Sequence, residues 1–278
     1  MKFQPVIKWS GSKRSQSEEI IKRFPKKIDT YYEPFIGGGS ILFQLLNSDI
    51  EVKEYICSDI NEELIALWNI IKEEPYELYK DYLEKWTQLN SIEDIEKKKE
   101  YYYEIRNKFN KSRNPKDFMF LSRTCVNGLI RYNKKGEFNT SLHSGRPGIH
   151  PEKLKKIIYQ WSDLLNEKNV KFIQQDYRCV NTSENDLIYL DPPYANTTGM
   201  YYGTINYEQL WKFLIEQKGN YILSFDGKTN VGNTEYDVPN EIYDKHEYIY
   251  NGISGFHKLH KKQIYVEESL YIKIKSIE

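Results

Sequence analysis

The sequence has 278 residues, a mean hydropathy of −0.72 and 40 basic against 40 acidic side chains, so its formal net charge is zero. Its length fits one large domain, or one domain with a smaller insert, and it contains no apolar run near the ~18 residues of a membrane span. Met1–Pro5 lacks the apolar segment of a signal peptide, and Cys57, Cys125 and Cys179 lack CxxC spacing, so we expect a cytoplasmic protein without a disulfide framework or a zinc site.

The first predicted elements alternate between strands and helices. Thr30–Phe35 has the character of a strand and leads into Gly37–Gly39, after which Ile41–Leu46 has a helical pattern. Tyr55–Asp59 repeats the strand pattern and precedes Glu62–Trp68, a helix with an acidic first turn. This order predicts a parallel sheet with helices on its faces.

A helical, tyrosine-rich segment then interrupts the alternation over residues 69–120. Thr124–Ser141 consists of two short runs on either side of the turn-forming Asn133–Gly136, a pattern that predicts a β-hairpin. A helix predicted at Lys153–Leu165 closes this insert.

The insert is also where the basic side chains concentrate. Residues 97–156 contain 16 basic and 5 acidic side chains, whereas residues 1–96 contain 12 and 18 and the remainder contains 12 and 17. Because lysines and arginines that neutralise phosphates supply most non-specific affinity for DNA, the insert is a candidate DNA-binding surface. The alternative for any single run of charges is an ordinary solvated helix.

After the insert the strand pattern resumes. Three runs are predicted as strands, at Val170–Ile173, Asp186–Leu190 and Tyr221–Phe225, with a helix at Tyr207–Gln217 between the last two. His246–Tyr250 and Ser269–Lys275 follow without a clear helix between them, which favours an antiparallel pair at the sheet edge. The fold class is therefore α/β, with a core formed by residues 1–68 and 166–278 and an insert at 69–165 that carries a hairpin over 122–141.

A glycine turn follows the first strand, where open parallel sheets bind ligands. Glu33–Gly39 forms this turn, and Asp59 ends the next strand, where its carboxylate can accept both hydroxyls of a ribose. Gly39 is followed by Ser40–Ile41 and not by the GK[ST] of a phosphate loop, and Leu42 stands where a dinucleotide fingerprint has Gly or Ala. An adenosyl ligand without phosphates, S-adenosylmethionine, fits this pattern best, although the glycines alone are equally compatible with an ordinary turn.

The tetrapeptide Asp191–Tyr194 ends a buried strand and is predicted to project into the same crevice. The N6 amine of adenine is a poor nucleophile because its lone pair is delocalised into the ring. The Asp191 carboxylate and a carbonyl held by Pro192–Pro193 can each accept one N–H, directing the lone pair toward a sulfonium methyl without a metal. Tyr194 offers a flat face to a base extruded from the duplex. The alternative for the tetrapeptide is an ordinary proline-rich turn after a strand. The loop Ala195–Gly203 has the composition of a mobile loop that could order over the base, and equally that of an ordinary surface loop.

Together these residues resemble the Dam-type family of DNA adenine-N6 methyltransferases, the α group of amino-methyltransferases. Ile7–Lys13 is similar to its N-terminal cofactor motif, Glu33–Gly39 to its glycine loop and Asp191–Tyr194 to its catalytic motif, in the family's order, with Ser10 and Ser12 as departures from the expected Ala and Gly. The resemblance implies a Rossmann-like S-adenosylmethionine-dependent methyltransferase sheet with a target-recognition insert. It also implies a set of cofactor contacts: Trp9, Lys13, Glu33, Phe35, Gly37, Gly39, Asp59, Asp176 and Asp191.

By the same resemblance, Ser122–Asn139 is similar to the family's DNA-contacting hairpin. Arg131 is expected to read a guanine through O6 and N7, and Leu129 to lie against the opened base pair. The implied DNA-binding set is Arg123, Asn127, Leu129, Arg131, Asn133, Lys134 and Lys135, with Lys261 and Lys262 assigned to phosphates. The implied target is a GA-containing site, such as GATC or GATATC, in double-stranded DNA.

The resemblance further implies a prokaryotic or phage protein of a restriction-modification system, with a cognate endonuclease acting separately, or one with a regulatory role. We expect a monomer, since a single target adenine needs only one copy, and a reaction that requires no metal. Two alternatives stay open. One is an N4-cytosine or RNA methyltransferase, since the same chemistry suits any conjugated amine, although Asp at position 191 favours adenine. The other is a DNA-binding protein that keeps the fold without turnover, against which the intact Asp191 and glycine loop argue.

Overall fold

The computed structural model describes residues 4–143, 145–193, 205–229, 232–233, 237–253 and 265–275. In these ranges the helices are α1 Ser17–Ile21, α2 Ser40–Leu46, α3 Glu62–Glu73, α4 Pro75–Ser91, α5 Ile95–Ser112, α6 Pro115–Thr124, α7 Pro151–Glu167 and α8 Tyr207–Glu216. The strands are β1 Lys27–Glu33, β2 Glu51–Asp59, β3 Lys171–Gln174, β4 Leu187–Leu190, β5 Asn220–Thr229, β6 Gly232–Asn233, β7 Lys245–Ile253 and β8 Tyr265–Lys273.

These strands form one sheet in the order β3-β2-β1-β4-β5-β8-β7, with β6 paired to β5. The pairs among β3, β2, β1, β4 and β5 are parallel. Strand β8 is antiparallel to both β5 and β7. The predicted α/β class, with a mostly parallel sheet and an antiparallel pair at its edge, is confirmed.

The strand order reverses at β1, which lies between β2 and β4. Glu33 ends β1, Asp59 ends β2 and Asp191 directly follows β4. Since these strands are parallel, their carboxyl ends meet at one edge of the sheet. The switch in strand order opens a crevice at these carboxyl ends. Open parallel sheets bind their ligands in such a crevice.

Buried aromatic side chains join the sheet to the helices around it. Trp68 of α3 stacks on Phe172 of β3 with ring centroids 5.3 Å apart, and it meets Trp161 of α7 at 4.9 Å. All four residues of β4 are buried, as expected for a central strand covered on both faces. The first and last helices that flank the insert, α3 and α7, are thereby fixed against the sheet.

The segment predicted as a hairpin combines helix, turn and isolated bridges. Helix α6 extends to Thr124, and a 3-10 turn follows at Val126–Gly128. Two isolated antiparallel bridges then connect Cys125 with Leu142 and Tyr132 with Phe138. A continuous ladder does not form between these bridges because Asn127 and Gly128, with φ of 55° and 65°, turn the chain out of the extended conformation.

Candidate active site

A cavity of about 500 Å³ opens at the carboxyl ends of β1, β2 and β4. Its volume is in the range of small-molecule and cofactor sites. Most residues predicted for cofactor binding and catalysis line it: Trp9, Lys13, Glu33, Phe35, Gly37, Asp59, Asp176, Asp191, Pro192 and Pro193. Tyr194 and the predicted loop Ala195–Gly203 lie outside the described residues.

The glycine turn brings backbone and indole rings into close contact. Gly37 has a φ of 46°, and a Cβ there would lie 2.8 Å from Trp9 Cδ1. Gly39 has a φ of 67°, and a Cβ there would lie 2.9 Å from the ring of Trp68. Both positions therefore require glycine. Gly37 lines the cavity, whereas Gly39, also predicted to contact the cofactor, shapes the turn from behind as the residue before α2.

Asp59 leaves the end of β2 at the wall of the cavity. Its carboxylate accepts a hydrogen bond from the backbone N–H of Asn61 at 3.0 Å. Burial is the largest influence on this group and raises the pKa of Asp59 to about 6. An ionised carboxylate here can accept hydrogen bonds from ligand hydroxyls, as predicted from its position after the strand.

Glu33 ends β1 and is buried. The Tyr31 hydroxyl donates to its carboxyl at 2.8 Å. Burial raises the pKa of Glu33 to about 8, opposed by the hydrogen bond from Tyr31 and assisted by the nearby charge of Asp191. The Glu33 carboxyl is therefore mainly protonated at pH 7.

Asp191 is held by an ammonium group from the N-terminal segment. Lys13 Nζ lies 2.7 Å from Asp191 Oδ1 and 3.5 Å from Glu268 Oε2 on β8. Lys13 and Glu268 are both buried, while Asp191 is partly exposed toward the cavity. Lys13, predicted as a cofactor contact, thus contacts the predicted catalytic carboxylate directly. Glu268 was not predicted as a site residue, because only the pairing of β8 with β5 brings it here.

The Pro192–Pro193 turn is fixed from α8. The Tyr207 hydroxyl donates to the carbonyl of Pro193 at 3.2 Å. The ring of Tyr207 in turn packs edge-on against Phe225 with centroids 5.3 Å apart. The Pro193 carbonyl is therefore engaged by the protein itself.

The opposite wall of the cavity contains Asp176, predicted to contact the cofactor's adenine. Its carboxylate pairs with Arg178, with Nε 2.8 Å from Oδ1. Hydrogen bonds from the Arg178 side chain lower the pKa of Asp176, so this carboxylate is ionised at neutral pH. Tyr177 lies beside it and packs on Phe35 with ring centroids 5.5 Å apart, which makes this wall aromatic.

The insert contributes the remaining wall through Leu129, Ile130 and Tyr132. The Tyr132 hydroxyl donates to Glu63 Oε1 at 2.9 Å, and Arg113 lies 3.3 Å from the same oxygen. Glu63 is in the first turn of α3, four residues beyond Asp59. The segment predicted to contact DNA is thereby attached to the cofactor side of the cavity, a connection that the sequence patterns did not reveal.

The residues predicted to contact DNA have three kinds of surroundings, and Lys261 and Lys262 lie outside the described residues. Asn127, Arg131, Lys134 and Lys135 are exposed on the segment between α6 and α7, in positions open to a large ligand. Leu129 instead reaches the cavity.

Arg123 and Asn133 have different surroundings from those predicted for them. Arg123 Nε donates to the Val6 carbonyl at 2.7 Å, its guanidinium also donates to Pro5, and burial lowers the pKa of Arg123 to about 10. Asn133 Oδ1 accepts from the backbone N–H groups of Lys135 and Glu137 at 2.9 and 3.0 Å. Arg123 therefore fixes the N-terminal segment against α6, and Asn133 builds the turn that presents the lysines.

Among the described residues, no cluster of three or more His, Cys, Asp or Glu side chains has an arrangement that could hold a metal ion. In the same ranges no helix combines the length and apolar character required to cross a membrane.

Comparison with known proteins gives one family. The family model described as D12 class N6 adenine-specific DNA methyltransferase matches residues 9–266. The type II methyltransferase M.MjaIII of Methanocaldococcus jannaschii is 38% identical over 209 residues, which cover 70% of each protein. A DNA adenine methylase of Haemophilus influenzae is 34% identical over 207 residues, covering 70% of this chain and 65% of that enzyme. The rRNA methyltransferase aviRa of Streptomyces viridochromogenes superposes over 96% of this chain and 89% of its own with 12% identity and a TM-score of 0.40, a distant similarity.

Proposed function

This chain belongs to the D12 class of N6 adenine-specific DNA methyltransferases, and from that premise we propose that it transfers a methyl group from S-adenosylmethionine to N6 of an adenine rotated out of duplex DNA. The observation that carries the proposal is the convergence of Asp191, the glycine turn and Asp59 on one cavity at the carboxyl edge of the sheet. A carboxylate that can hold an amine and a site that suits an adenosyl group are thereby adjacent.

The residues of the cavity fit the proposed cofactor. Gly37 and Trp9 both line the cavity, and Gly37 packs so closely on the indole that a side chain there would collide with it. Asp59 supplies acceptors for ribose hydroxyls, and the aromatic wall at Phe35 and Tyr177 suits an adenine ring. When bound, S-adenosylmethionine supplies a methyl group activated by a sulfonium.

Replacing Asp59 by Ala is expected to weaken binding of S-adenosylmethionine by about 30-fold, because the variant lacks the acceptors for both ribose hydroxyls. With the wild type, affinity is expected to fall as the pH is lowered through about 6, since protonation of Asp59 removes its charge. Titration calorimetry at pH 5.5 and pH 7.5 measures both effects. Glu62→Ala, which removes an exposed carboxylate at the start of α3, is the matched control, and an equal loss in both variants would contradict the assignment.

Methyl transfer itself requires the amine to present its lone pair. Asp191 accepts a hydrogen bond from one N–H of the target N6 amine. We assign the second N–H to the Pro192 carbonyl, because the Pro193 carbonyl already accepts from the Tyr207 hydroxyl. With both hydrogens held, the nitrogen lone pair points to the methyl group, so the rate gain comes from orientation and electrostatics. After transfer N6 carries one proton too many, and Asp191 is the adjacent base that can accept it and release it to water.

Extrusion of the base follows from the depth of the cavity. Asp191 lies in the cavity at the carboxyl ends of the strands, which an adenine stacked in a duplex cannot enter. The nucleotide must therefore rotate out of the duplex at a cost of a few kcal/mol. Tyr194 is assigned from its place in the tetrapeptide. We propose that it stacks on the extruded base and so offsets about 1–3 kcal/mol of the free energy of extrusion. Leu129, which reaches the cavity from the insert, is proposed to contact the opened pair.

Target choice is assigned to the exposed insert. Replacing Arg131 by Ala is expected to lower discrimination at one guanine of a GA-containing site by roughly 10-fold or more, because a bidentate arginine–guanine contact contributes about 1–3 kcal/mol. Lys134→Ala is the control, since loss of a phosphate contact weakens all sequences alike. Sequencing of DNA methylated by each protein measures the preference. An Arg131→Ala enzyme with the wild-type sequence preference would contradict the assignment.

The function as a whole is tested by labelling. The protein is incubated with methyl-labelled S-adenosylmethionine and duplex DNA, the DNA is digested to nucleosides, and the labelled nucleoside is identified. A parallel reaction contains RNA in place of DNA. Label in N6-methyl-2′-deoxyadenosine supports the proposal, whereas label in N4-methyl-2′-deoxycytidine, label only in the RNA reaction, or no transfer in either reaction would each favour one of the alternatives. We further propose that the enzyme acts as a monomer in a prokaryotic or phage-infected cytoplasm, on a site such as GATC or GATATC, beside a separate endonuclease.

A further inference from the structure

Glu268 is a buried carboxylate that no part of the proposed reaction has used. It approaches the active site from β8, the antiparallel strand, and its Oε2 lies 3.5 Å from Lys13 Nζ. We propose that Glu268 is a positioning residue, which shares the Lys13 ammonium with Asp191 and so leaves Asp191 able to hold the adenine amine. This inference rests on the proposed function.

The fold places Glu268 at this point by means of a bulge. The pairing of β5 with β8 shifts register between Phe225 and Lys228. Gly227 lies in that shift, and a Cβ there would be 2.0 Å from the Glu267 carbonyl oxygen and 2.8 Å from Glu268 Cα. Only glycine allows the two backbones to approach so closely, so the bulge and its glycine set the position of Glu268 behind the active site.

Glu268 is so deeply buried that its ionised carboxylate costs free energy unless it has a partner. Glu268 has 7% of its surface exposed and Lys13 has 4%. Ionised groups at such depth lose their hydration and are stable only when paired and hydrogen-bonded. The pairing of Lys13 with both carboxylates keeps acidic side chains beside a cavity that must hold a sulfonium.

The sharing of the Lys13 ammonium between two carboxylates matters because Lys13 and the target adenine compete for one of them, Asp191. The ammonium is already 2.7 Å from Asp191 Oδ1, and the adenine amine must also donate to Asp191. Besides the Gly11 carbonyl, to which it donates at 3.4 Å, the ammonium has a second carboxylate in Glu268, and its interaction with Asp191 is weaker for it. Without the negative charge of Glu268, Lys13 is expected to bind Asp191 more tightly, and Asp191 becomes a poorer partner for the adenine amine.

The first test measures capture of the amine without any turnover. Two duplexes carry the mapped target site, one with adenine and one with purine, which lacks the 6-amino group, at the target position. Affinity for each is measured in the presence of S-adenosylhomocysteine, for the wild type and for Glu268→Gln. Both proteins open the same two duplexes, so the difference in base-pair stability cancels between them. The change in the adenine-to-purine ratio from one protein to the other therefore reports the contact of Asp191 with the amine.

We expect the ratio to fall by about tenfold in Glu268→Gln and to recover at least in part in Glu268→Asp. Glu267→Gln is the matched control, since this neighbour projects to the exposed face of the same strand, and it should keep the wild-type ratio. An unchanged ratio in Glu268→Gln, or an equal change in Glu267→Gln, would overturn the inference.

The second test asks whether Glu268 acts through Lys13. The single-turnover rate of methylation at saturating cofactor is compared for Lys13→Met, Glu268→Gln and the double variant. Because the double variant has no lysine at position 13, it contains no buried ammonium that has lost a partner. If Glu268 acts through Lys13, the double variant is no slower than Lys13→Met, whereas multiplied losses would overturn the inference. A wild type without transfer to adenine would overturn the proposed function, and the inference with it. Wild-type transfer together with multiplied losses would overturn the inference alone.

Discussion

Replacing Asp191 by Ala is expected to lower the rate of methyl transfer by about 10²–10³-fold, because the variant loses the acceptor that orients the amine in the transition state. The carboxylate occupies the end of β4 and reaches the cavity that also contains Asp59 and the glycine turn. No other described carboxylate is both adjacent to Lys13 and directly beyond β4. Single-turnover kinetics with saturating DNA and cofactor measure the chemical step directly.

Duplex binding should be largely intact in Asp191→Ala, because the exposed basic residues of the insert remain. Lys13 keeps Glu268 as its partner, so the fold should also persist. Gel-shift titration and thermal unfolding serve as the two controls. A variant that transfers methyl groups at a rate close to the wild type would show that another group holds the amine.

Replacing Glu33 by Gln is expected to change how stability depends on pH. The pKa of Glu33 is about 8 in the fold and near 4.5 in the unfolded chain, so between these values only the folded state keeps the proton. Stability of the wild type therefore falls as the pH rises through that window, by up to about 1.4 kcal/mol per pH unit from this group. Glutamine is neutral throughout and keeps a polar partner for Tyr31.

Urea unfolding at pH 5 and pH 8 measures this difference. The wild type should lose about 2–4 kcal/mol more than Glu33→Gln between the two values, since other titrating groups cancel in the comparison. Glu62→Gln, at an exposed position, should follow the wild type. Parallel pH profiles for the wild type and Glu33→Gln would mean that Glu33 is ionised in the folded protein.

The parallel part of the fold could be predicted from the sequence because its signals are local. Apolar runs ending in glycine or aspartate identified β1, β2 and β4, and residues directly beyond parallel strands meet at one edge. Asp59 and Asp191 were therefore placed correctly at the cavity by strand position alone. The resemblance to the Dam-type family, carried by the same motifs, is confirmed by the family to which the chain belongs.

Other features depend on contacts between distant segments, for which the sequence has no local signal. Glu268 reaches Lys13 only because β8 inserts between β5 and β7. Tyr132 meets Glu63 only because the insert folds back against α3. Arg123 has the residue type of a DNA contact, but the packing of α6 against the N-terminal segment directs it to the carbonyls of Pro5 and Val6.

A crystal structure of the protein with a duplex containing its mapped site and the unreactive cofactor analogue sinefungin tests the central claim most directly. We predict that the target adenine is extruded and that its N6 lies within hydrogen-bonding distance of the Asp191 carboxylate and the Pro192 carbonyl, with the hydroxyls of the adenosyl ribose on Asp59. An adenine that stays stacked in the duplex, or one whose amine is held by other residues while Asp191 remains with Lys13, would contradict it.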